Sequence, residues 1–144
     1  MKPQYFKNHA QMAPKPYYTA ILVGLIVSIL ALINANNIMN HWNGFLIPVL
    51  ISALGISVIL IAWYARAFAL KAQDRAIRAE ENLRHFALTG KLLDNRLTIS
   101  QIIALRFAAD EEFVALAKKA AEENLNNKQI KQAIVNWKAD WYRV

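Results

Sequence analysis

The stretch FLIPVLISALGISVILIAWYARAFALKAQDRAIRAEENLRHFAL, residues 45–88, decides how this chain is built. Its first 20 residues, 45–64, hold no Asp, Glu, Lys or Arg. At the α-helical rise of about 1.5 Å per residue they reach roughly 30 Å, one hydrocarbon core. From residue 65 charges appear, yet neither Pro nor Gly intervenes before Gly90, so nothing stops the helix where the apolar run ends. The reading is a helix that spans a bilayer over 45–64 and continues over 65–89 as an amphipathic stalk.

Upstream, residues 17–33 form a second uncharged apolar run, opened by Tyr17 and Tyr18, whose rings suit the headgroup boundary. A lysine-bearing start before such a run also fits a signal peptide, but a second uncharged span follows at once, which favours an uncleaved helical hairpin. Residues 34–44, rich in Asn and free of formal charge, are the turn of that hairpin, and short loops favour antiparallel neighbours. Pro48 falls near the start of the second span, where its missing N–H costs little. Residues 1–16, with Pro3, Pro14 and Pro16, read as a flexible tail.

Of the net charge of +7, residues 1–16 supply +3 and residues 65–144 supply +4, with nothing between. Basic excess on both flanks of a two-span unit is what the positive-inside rule predicts for both termini in the cytoplasm. Anionic headgroups account for this charge as well as nucleic acid would, so membrane lipids are the expected partner. The spans also carry small residues at helical spacing: Ala20, Gly24 and Ser28 on the first, Ala53 and Ser57 on the second. Small residues let backbones approach closely in lipid, where apolar burial gives helices no reason to associate.

On the stalk, Phe68, Ala72, Ala76, Ala79, Leu83 and Phe86 recur every three or four residues, an apolar stripe that needs a partner. Candidates are the downstream helices, another copy of the stalk, or the membrane surface. Gly90 ends the helix. Thr98 and Gln101 have capping-box spacing for a short helix over 99–108. Asp110 is a candidate cap for a helix over 111–123, with Phe113, Leu116, Ala117 and Ala120 on one face, and Asn127 for one over 128–142, with Ile130, Ile134, Trp137 and Trp141. The fold class is therefore all-α: a transmembrane hairpin, 17–64, whose second helix continues as a cytoplasmic stalk, capped over 90–144 by a small three-helix domain.

The segments QDRAIRAEE, residues 73–81, and LTISQIIALRFAADEE, residues 97–112, resemble a functionally uncharacterised family of small two-span bacterial membrane proteins. Ile130, Lys131, Trp137, Asp140 and Arg143 complete the likeness, which runs over most of residues 15–144. It implies a two-span anchor with a cytoplasmic helical domain and supplies no activity.

The residue types exclude much chemistry. There is no cysteine, hence no disulfide, thiolate ligand or thiol nucleophile. His9, His41 and His85 are scattered over tail, turn and stalk, so a metal site is not expected. The pairs Glu80/Glu81, Glu111/Glu112 and Glu122/Glu123 are adjacent on helices, about 100° apart, and do not form acid/base dyads. No phosphate-binding glycine loop exists, and no cofactor is implied. A helix-turn-helix reading of 97–124 fails because acids occupy the helix that would meet phosphates. Two spans without ionisable groups enclose no pore in a single copy.

What remains is a polar cluster and a set of interface candidates. Arg75, Arg78, Glu81, Arg106, Asp110 and Asp140 are expected to tie cap to stalk as ion pairs, with Arg106 four residues before Asp110. Gly24, Ser28, Ala53, Ser57, Leu83, Phe86, Trp137 and Trp141 are the interface candidates. Together they suggest a non-enzymatic assembly subunit that forms a homo-oligomer or joins a partner membrane protein. The second reading is a subunit that binds anionic headgroups or another anion through Arg75, Arg78 and Arg106.

Overall fold

The computed structural model describes residues 4–6, 15–38 and 42–140. It is all-helical: α1 Lys15–Ile38, α2 Trp42–Thr89, α3 Ile99–Leu105, α4 Asp110–Glu122 and α5 Asn127–Ala133. Both long helices outrun their apolar stretches, so the Asn-rich turn is shorter than residues 34–44, and Pro48 lies inside α2 instead of in its first turn. Helix α2 runs 48 residues and stops at Gly90, whose φ of +72° suits glycine and whose N–H reaches Phe86 O at 2.7 Å.

The chain divides into two compact units, 12–70 and 71–143 together with 1–11, with the boundary inside α2. In the first unit α1 meets α2 through small and hydroxyl residues. Ser28 Oγ donates to Ser52 O at 3.4 Å, and Ser52 Oγ to Ser28 O at 3.5 Å. A Cβ added at Gly24 would stand 2.9 Å from Gly55 O, and one at Gly55 2.8 Å from Gly24 O, so only glycine permits this approach. Arg66 lies over the Tyr17 ring at 5.5 Å. Low numbers on α1 meet high numbers on α2, the pairing of antiparallel neighbours. The expected seam on α2 is corrected here: Ser52, Gly55 and Ile59 face α1, whereas Ala53 and Ser57 are exposed. Successive residues turn by about 100°, so a one-residue shift moves small side chains off the contact.

In the second unit α3, α4 and α5 close a core around Phe107, Phe113, Ile102, Leu105 and Ile130, all fully buried. Thr98 and Gln101 form the expected capping box, and Gln101 Nε2 also donates to Leu125 O at 2.8 Å, joining α3 to the turn after α4. Two expected caps shift. Asp110 is the first residue of α4 and caps nothing, while Asn126, not Asn127, caps α5 with Gln129. The helix expected over 128–142 ends at Ala133. Ile134 turns extended, Glu112 Oε2 and Oε1 accept Val135 N–H at 3.1 Å and Asn136 N–H at 3.0 Å, and the chain returns antiparallel along Ala108. Those backbone groups thus find partners outside a helix. The Trp137 ring packs 5.2 Å from Phe107. Near the N-terminus, read above as a free tail, Gln4 is buried, accepting from Asp140 N–H at 2.9 Å and donating to Asp140 O at 3.2 Å.

Candidate functional site

Residues 71–89 of α2 present two contrasting faces. The face that the rest of the unit covers carries Ile77, Glu81 and Arg84, spaced four and three, with Ile77 and Glu81 buried. The other carries Ala72, Ala76, Ala79, Leu83 and Phe86, all exposed, with Leu83 at 68% and Phe86 at 51%. The apolar stripe read from the sequence exists, and the chain's own downstream helices do not cover it.

Arg84 is the node of the covered face. Its Nε donates to Asp110 Oδ1 at 2.6 Å, Nη1 to Glu81 Oε2 at 3.0 Å and Nη2 to Ala108 O at 2.7 Å. The guanidinium also lies 4.2 Å from the centre of the Phe113 ring, a cation–π contact in a largely dry setting. One planar fork therefore fastens α2 to the start of α4 and to the segment before it. Burial raises the Glu81 carboxyl above its ordinary 4.5, against the opposing pull of the Arg84 hydrogen bond and charge. A second pair, Arg106 Nη1 to Asp140 Oδ2 at 3.0 Å, lies on the segment after α3.

The six predicted cluster residues separate accordingly. Glu81 and Asp110 meet through Arg84, and Arg106 meets Asp140. Arg106 and Asp110, expected as an i,i+4 pair, do not share a helix, because α3 ends at Leu105 and α4 begins at Asp110. Arg75 and Arg78 are exposed and, among the described residues, belong to neither pair. Of the arginines offered for an anion, Arg106 is held by Asp140, while Arg75 and Arg78 are exposed on α2. Arg84 is the residue that sequence reasoning missed. Its signal was Ile77, an apolar residue amid charges, with Glu81 and Arg84 following on the same face.

Of the interface candidates, Gly24 and Ser28 lie in the α1–α2 contact, Trp137 is half-buried against Phe107, and Trp141 lies outside the described residues. His9 and His41 also lie outside them. His85 hydrogen-bonds through Nδ1 to Lys91 O at 2.7 Å, and its ring meets Phe113 edge-on at 6.0 Å. It lines a groove of about 360 Å³ with Thr89, Leu92, Leu97 and Val114. The connector is held by Asp94, which accepts from Arg96 N–H at 2.9 Å and pairs with its guanidinium at 2.7 Å, pulling the Asp94 carboxyl down to about 2. Among the described residues no cluster of three or more His, Asp or Glu is placed to hold a metal.

Comparison with curated proteins and with solved structures returned no match. The family comparison did: residues 1–144 match throughout, and the chain belongs to a family of unknown function (DUF6526).

Proposed function

We propose that this chain is an integral membrane protein, anchored in a bacterial inner membrane by residues 17–33 and 45–64 with both termini cytoplasmic. Its helical unit serves assembly with other membrane-bound chains. One observation carries this reading: the apolar helices are long enough to span, yet only 17% of each apolar window is buried. Leu22, Ile29, Leu30, Leu50, Leu54 and Ile61 are between 53% and 68% exposed. A helix from a soluble core hides such side chains, whereas lipid accepts them. The basic flanks give the orientation, and the uncovered Leu83 and Phe86 give the assembly role.

The test is alkaline carbonate extraction of native membranes, combined with impermeant maleimide labelling of single-cysteine variants, which the cysteine-free chain makes clean. The reading expects the chain in the pellet, Asn40→Cys labelled from outside, and Ala139→Cys labelled only after the membrane is opened. A chain released with the supernatant would overturn it.

A further inference from the structure

The uncovered face of residues 72–86 has a finer pattern than a stripe. Ala72, Ala76, Ala79, Leu83 and Phe86 are separated by four, three, four and three residues, the alternation of a and d positions in a coiled coil. With Ala76 and Leu83 at a, and Ala72, Ala79 and Phe86 at d, Ile77 and Arg84 fall at b and Glu81 at f, opposite the seam. Those are the positions the unit's own α3–α5 segment covers. The covering therefore leaves the a/d seam open, and each seam residue is exposed.

Flanking charges say what the seam fits. In this register Arg75 occupies g and Glu80 occupies e. Both are exposed, and among the described residues they form no ion pair with each other or with a neighbour. Five residues apart, they lie on opposite flanks of the seam and cannot meet within one helix. In a parallel two-stranded coil, however, g of one helix faces the following e of its partner. Arg75 of one copy then meets Glu80 of the other, and symmetry repeats the pair. An antiparallel arrangement sets g against g and e against e, and loses both.

We infer that residues 72–86 of α2 form a parallel, two-stranded coiled coil with the same residues of a second copy of this chain, closed by Ala72, Ala76, Ala79, Leu83 and Phe86 and locked in register by reciprocal Arg75–Glu80 pairs. The inference rests on the membrane reading, since copies anchored in one bilayer through α2 present this segment with a common polarity. Three alanines in the seam permit close approach of the helices. Two heptads form a short coil, and confinement to the bilayer raises the effective concentration that such a coil needs.

The experiment oxidises single-cysteine variants of the full chain in native membrane vesicles and follows the shift from the 16.3 kDa chain to its disulfide dimer. Ala79→Cys at d is expected to cross-link rapidly, and Arg78→Cys, exposed but off the seam, about tenfold more slowly. Adding Arg75→Glu or Glu80→Arg to Ala79→Cys brings like charges together and is expected to cut cross-linking by about tenfold. Combining both reversals is expected to restore it, a rescue that misfolding or random collision does not produce. Equal cross-linking at 78 and 79, or no rescue by the double reversal, would overturn the parallel pairing. Carbonate extraction of the same vesicles separates the two ideas. A chain that stays in the pellet without an Ala79→Cys dimer refutes the coil alone, whereas a chain in the supernatant refutes the anchor and with it the enforced polarity.

Discussion

Within residues 71–89, the face of α2 with Glu81 and Arg84 is turned inward, while the face with Leu83 and Phe86 is turned to the surroundings. The same inversion occurs between α1 and α2, where Ser28, Ser52, Gly24 and Gly55 make the contact with Ile59, and most Leu and Ile side chains are exposed. In water, folding sorts apolar groups inward. A chain that twice does the opposite has apolar surface available to something outside itself: lipid along the first unit, on the function proposed above, and a second copy along α2, on the inference above.

That contrast can be broken hardest at Arg84. Arg84→Met takes from buried Glu81 the cation that it hydrogen-bonds, removes the donor to Ala108 O and frees Asp110. Loss of one partner of a buried pair costs about 3–5 kcal/mol. The expected outcome is unfolding of the helical unit at much lower denaturant in detergent, read by the fluorescence of Trp137 against Phe107. On the first unit, Gly55→Leu is expected to push α1 from α2 at a cost of about 1–3 kcal/mol. A Ser28→Cys/Ser52→Cys pair should then oxidise several-fold more slowly than in the parent.

A smaller effect sharpens the comparison through pH. The folded state raises the Glu81 carboxyl above 4.5, so it holds that proton more tightly than the unfolded chain does. Stability from this group is fully present below pH 4.5 and falls as pH rises through the folded value. Glu81→Gln is expected to flatten that segment of the stability–pH curve, which melts at stepped pH would show. Smallest of all, Leu83→Ser should alter the melt of an isolated copy by less than about 0.5 kcal/mol, because none of the described residues covers it. A polar substitution at an apolar residue is thus expected to be harmless where an apolar substitution at an arginine is severe.

Much of this was legible in the sequence. The unbroken α2, its stop at Gly90, the Thr98–Gln101 box and the buried Phe113, Leu116, Ala117 and Ala120 follow from local rules of period, capping and glycine geometry. What was not legible depends on residues distant along the chain. Periodicity carried a helix through Trp137, but the Glu112 carboxylate takes the N–H groups of Val135 and Asn136, and Ala108 pairs across to Trp137. By spacing alone Glu80, four residues before Arg84, would be its partner on α2. The fold brings Asp110 and Ala108 from 26 and 24 residues away instead, and selects Glu81 on the face they share.

The central claim, one helix with a face covered by its own chain and a face covered only in the assembly, is tested most directly by a cysteine scan of residues 72–89 in the full chain. Alkylation rates would be measured in native membranes and again after dilution into detergent. Position 77 is predicted to stay protected in both, whereas 76, 79, 83 and 86 are protected in membranes and become reactive on dilution. Full reactivity at 76, 79, 83 and 86 in intact membranes would contradict the account.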